Sequence, residues 1–116
     1  MGRLLIRGEH GQDTIDRLAA QEGETTLDKS TFGAFASTRL LEILRERKIE
    51  QLVFAGVTAD VCVHTTLREA IDQGFDCWYA RDAISTPDAT IREACEKSES
   101  SNLYFACALQ SSSLRI

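Results

Sequence analysis

The apolar run QLVFAGV at 51–57 passes without a linker into a stretch of helical spacing, and this junction constrains the fold more than any other feature. A short, continuous apolar run closed by glycine reads as a buried strand of a parallel sheet. From Asp60 the period changes to 3.6: Val63, Leu67, Ala70 and Ile71 share one face, and Gly74 stands where a helix end takes glycine. FDCWYA at 75–80 is the next strand, RDAISTP the turn after it, and Pro87 opens a further helix, DATIREACEK. LYFACAL at 103–109 is a last strand, or a strand running into a terminal helix. Strand, helix, strand, helix, strand predicts βαβ units, hence an α/β fold with a parallel sheet covered by helices.

Upstream of the junction the pattern is weaker. Residues 1–24 are rich in glycine and charge, with one short amphipathic piece, DTIDRLAA, and Thr25–Lys29 has the threonines and leucine of a short strand. Ser37 or Thr38 is placed to cap a helix that carries Leu40, Leu41, Leu44 and Arg47 and stops near Lys48. A chain of 116 residues makes one small domain, 1–116. With 43% hydrophobic and 27% charged residues it has the balance of a globular protein. The net charge of −5 gives no basis for a nucleic-acid partner. No apolar run approaches the roughly 20 residues a membrane helix needs, and MGRLLIRGEHG lacks the sustained apolar region of a signal peptide. The cysteines at 62, 77, 95 and 107 form no CxxC pair, so free thiols in a reducing, cytoplasmic setting are the simpler expectation.

In open α/β sheets, ligands bind beyond the carboxyl ends of the strands. Cys62 lies at such an end, in the first turn of the following helix. Unpaired N–H groups and the helix dipole favour a thiolate there, and the same N–H groups suit a developing oxyanion. Asp60 opposes a thiolate if it points inward, but it can instead cap the helix and face away. By position alone Cys62 is either a nucleophile or a small buried hydrophobe, the commoner use of a free cysteine. Cys77, Cys95 and Cys107 sit within apolar periodicity and read as core.

The run from DKSTFGAF through GVTADVCVHTT to the DA of RDA resembles the isochorismatase-like cysteine hydrolases, over half the chain. Within that superfamily, GRLLIRGEHGQDTID and VCVHTTLREA look most like the biuret- and ureidoacrylate-type amidohydrolases. The resemblance implies a three-layer αβα, Rossmann-like domain and hydrolysis of a C–N bond in a small amide or ureide through a thioester acyl-enzyme. It implies no cofactor and no metal, because neither His10 nor His64 reproduces the aspartate–histidine motif of nicotinamidase-type members. Homo-oligomeric assembly is a further implication.

Site roles carry over residue by residue. Cys62 matches the nucleophile, and Lys29 the lysine that stabilises the thiolate and positions the reacting groups. A cis peptide between Val57 and Thr58 is implied, aiming the Thr58 and Cys62 amides into one oxyanion hole. Glu9 and His10, in RGEHG, could line a substrate pocket or belong to a solvated loop.

The third member of the family's triad is an aspartate at the end of the first sheet strand, and this sequence begins beyond that point. Asp13, Asp28 and Asp60 do not stand in its context. The chain is then expected to lack the first strand and to be a partial domain. It is either a portion of a longer hydrolase or a shortened, inactive relative acting as an interaction or structural subunit.

Overall fold

A computed structural model describes residues 6–101 and 106–109. Three parallel strands, β1 (Gln51–Val57), β2 (Asp76–Ser85) and β3 (Ala106–Leu109), form a sheet of order β1-β2-β3. Helix α1 (Leu40–Glu46) precedes β1, α2 (His64–Asp72) joins β1 to β2, and α3 (Ala89–Ser101) joins β2 to β3. The α/β class expected from the alternation is the one observed. Among the described residues no helix is long and apolar enough to cross a membrane.

Local chemistry explains the helix limits. The N-cap of α1 is Arg39, and Thr38 just before it, not Ser37, makes the side-chain bond at this end: its hydroxyl accepts the Leu40 N–H at 3.0 Å and donates to the Ala34 carbonyl at 2.7 Å. Past α1 the chain turns at Lys48, whose φ is 56°. Gly74, at φ 89°, ends α2 in the left-handed conformation that disfavours a side chain. Asp88 caps α3 by accepting the N–H groups of Thr90 and Ile91 at 2.8 and 3.2 Å.

The core lies between α2 and the sheet. Leu67 and Ala70 of α2 meet Cys77 and Tyr79, alternate residues on one face of β2, and Phe35, Leu52, Phe54 and Phe75 close around them. The register pairs Leu52 with Cys77 and Phe54 with Tyr79, so the even positions of β1 share that face. The opposite face carries Val53 and Val57, which are 47% and 69% exposed.

Several sequence expectations need correction. Among the described residues β1 pairs with β2 and keeps one face exposed, so it is covered on one face and not on both. β2 runs on through Ser85, because the register shifts between Phe54 and Gly56 and RDAIS rejoins the ladder at Ile84 and Ser85. Thr25–Lys29 forms no strand and pairs with none of the described strands. DTIDRLAA contributes one 3₁₀ turn, Asp16–Leu18, and leaves Ile15 and Leu18 largely exposed. The expected last strand is β3 over Ala106–Leu109, the first three residues of LYFACAL lying outside the described ones.

Candidate active site

The end of β1 sets the position of Cys62. A cis peptide bond joins Val57 to Thr58, and the chain then enters a π-helical turn, Ala59–Val63, that leads into α2. In that turn the Val63 N–H donates to the Thr58 carbonyl at 3.2 Å, one residue further back than in an α-helix. Cys62 is half-buried and free. Asp60 accepts a hydrogen bond from the Thr86 hydroxyl at 2.9 Å, which ties the turn to the end of β2 and gives this carboxylate a partner of its own.

Lys29 reaches Cys62 across 33 residues of sequence. Its Nζ donates to Cys62 Sγ at 3.3 Å, to the Thr31 carbonyl at 2.8 Å and to the Phe32 carbonyl at 3.0 Å. An ammonium has three N–H donors, and these three acceptors use all of them. The carbonyls that aim Lys29 are held by a folded loop: Thr31 Oγ1 donates to the Gly33 carbonyl at 2.6 Å, Thr31 and Ser37 hydroxyls lie 2.9 Å apart, and Ser37 accepts the Ser30 N–H at 3.2 Å. The loop is anchored to the core by Phe35, whose ring stacks on Phe75 at 6.2 Å between centroids.

Lys29 and Cys62 line a cleft of about 230 Å³ with Phe54, Ala55, Val57, Val63 and Thr66. It opens at the carboxyl end of β1, where ligands of open α/β sheets bind. Among the described residues none that lines the cleft is a carboxylate. Asp13 lies 3.3 Å from the His10 ring and Asp28 lies 3.3 Å from Arg7, both on the exposed surface. Glu9 and His10 are exposed and outside the cleft lining. His64 turns the other way: it is hydrogen-bonded to Arg68 and lines a separate cavity of about 30 Å³ between α2, α3 and β2, with Leu67, Tyr79 and Cys95. Thr66 of the cleft was missed by sequence reasoning. Its one signal was spacing, four residues beyond Cys62 and therefore on the same helical face.

The sequence profile of the isochorismatase domain matches residues 1–99. The ureidoacrylate amidohydrolase RutB of Serratia proteamaculans is 36% identical over 104 residues, covering 90% of this chain and 40% of that protein. Among solved structures, the isochorismatase family protein of Desulfovibrio vulgaris superposes with a TM-score of 0.87 at 26% identity, covering 92% of this chain and 56% of the other. The N-carbamoylsarcosine amidase of Thermoplasma acidophilum superposes with a TM-score of 0.85 at 27% identity, covering 99% and 64%. The chain thus spans about two fifths of the length of the curated relative it matches.

Proposed function

Since this chain belongs to the isochorismatase family, we propose that it serves as a cysteine-dependent hydrolase of C–N bonds in a small amide or ureide. The observation that carries the reading is the 3.3 Å contact between Lys29 Nζ and Cys62 Sγ inside a cleft at a strand's carboxyl end. An ammonium donor at this distance can hold the sulfur in place for attack. Sγ bonds to the amide carbon, the carbonyl oxygen gathers negative charge, and the amides of Thr58 and Cys62 are the donors that would stabilise it. The C–N bond then breaks, nitrogen leaves with a proton, and water hydrolyses the thioester to free the thiol and a carboxylic or carbamic acid. A base must take the thiol proton and later activate that water. The family resemblance gives this role to an aspartate that the sequence does not place. The amidohydrolase and amidase names of two relatives support an amide or ureide as substrate. We place the reaction in the cytoplasm, in a homo-oligomer, with no cofactor, metal or nucleic acid taking part.

The test is ammonia release from a panel of small ureides and amides, with mass spectrometry of the Cys62 peptide after rapid quenching. An acyl adduct on Cys62, together with loss of turnover in Cys62→Ser, is the expected result. Absence of both adduct and ammonia from folded protein would overturn the reading.

A further inference from the structure

We propose that Thr66, backed by Glu69, is a positioning residue that locks the Lys29 loop to the helix following Cys62. The inference rests on the Cys62–Lys29 reading above. The Thr66 hydroxyl donates to the Cys62 carbonyl at 2.7 Å and accepts the Ala34 N–H at 3.1 Å. A hydroxyl has one proton and two lone pairs, so this single group satisfies both partners at once. Three residues further along α2, Glu69 accepts the Phe35 N–H at 3.2 Å. Its carboxylate fills the space in front of buried Gly33, where a Cβ would fall on it. The 33–35 backbone is therefore held against α2 at two points one helical turn apart.

These contacts close a ring. From Cys62 it runs through Thr66 to Ala34, back along the loop to Thr31 and Phe32, through their carbonyls to Lys29 Nζ, and from Nζ to Cys62 Sγ. Lys29 is exposed and its side chain is long and flexible, so its own rotamer preferences do not fix the 3.3 Å contact. The loop carbonyls aim the ammonium, and Thr66 sets where that loop stands relative to the thiol.

Alkylation of Cys62 by chloroacetamide at neutral pH, followed peptide by peptide in the full chain, tests both levels. Buried Cys77 monitors the fold in the same samples. Lys29→Met is expected to slow Cys62 labelling about tenfold, the scale of a charge-assisted hydrogen bond. Thr66→Val, which keeps the shape and removes the hydroxyl, is expected to slow it about fivefold, while Thr66→Ser stays within about twofold of the native rate. In a Lys29→Met background Thr66→Val should add nothing, because the hydroxyl acts through the lysine. An unchanged rate in Lys29→Met refutes the pair itself. If Lys29→Met slows labelling but Thr66→Val does not, or slows it equally with and without Lys29, the pair stands and the positioning role is refuted. Should Thr66→Val expose Cys77, Gly33→Ala decides by the same comparison, since it displaces the Glu69 carboxylate and leaves Thr66 intact.

Discussion

Replacing Leu67 by alanine removes the largest fully buried side chain of the described core, which is 2% exposed and packs from α2 against Cys77 and Tyr79 of β2. Three carbons are lost, at about 0.8 kcal/mol each, giving a transfer term of about 2.4 kcal/mol. Phe35, Leu52 and Phe54 pack against the site but are only partly buried, so they can lean into the space. The residual cavity then adds about 0.5–1 kcal/mol at roughly 24 cal/mol per Å³. The sum is about 3 kcal/mol, a third to a half of the stability of a small domain. With a urea slope of about 1.2 kcal/mol per molar, the unfolding midpoint should fall by about 2.5 M. Circular dichroism during urea titration reads that shift, with Val53→Ala as the control, since Val53 is 47% exposed and should cost under about 1 kcal/mol. A Leu67→Ala shift below about 0.8 M at unchanged slope would refute the claim that α2 is seated on β2 through this residue.

Two further changes probe helix ends. Asp88→Ala removes the acceptor of the Thr90 and Ile91 N–H groups and should cost about 1 kcal/mol by urea unfolding, whereas Asp88→Asn should cost less than half of that. Gly74→Ala meets no atom within 4 Å, so its expected cost of about 1 kcal/mol comes from the positive φ alone; a neutral result would show that the backbone there relaxes freely.

The parts of this fold legible in the sequence are those whose signal is local. QLVFAGV gives its strand because glycine and a change of period bound it, and Gly74 and the Ser37–Thr38 pair mark helix ends through a positive φ or short-range hydrogen bonding. Burial of β1 was not legible, since an apolar strand reads alike whether one or both of its faces are covered, and only the elements packed on each face decide. The continuation of β2 through Ser85 depends on a register shift against another strand, which RDAIS does not encode by itself. Lys29 illustrates the same limit at the site. Nothing about an exposed lysine in DKSTFG announces a contact 33 residues away, and its role came from family resemblance, whereas the strand-to-helix setting of Cys62 could be read directly. Thr66 fell between the two: its spacing from Cys62 was visible, but its second bond, to Ala34, is tertiary.

The register shift in the sheet also bears on how sequences of this kind can change. Phe54 pairs with Tyr79 and Gly56 with Ile84, so residues 80–83 of β2 stand opposite the single residue Ala55. Ala80 is buried and pairs with Leu109 on the other side, but Arg81, Asp82 and Ala83 are exposed. That short stretch, off the ladder with β1, separates two stretches under different demands: Asp76–Ala80, shaped by packing against Leu67, and Ile84–Thr86, where Thr86 steadies Asp60 in the turn that carries Cys62. Insertions or deletions at 81–83 can be absorbed there without sliding either stretch along β1. Length variation between relatives should accordingly gather at this point, letting the surface near the α2–α3 cavity diversify while the placement of Cys62 stays fixed.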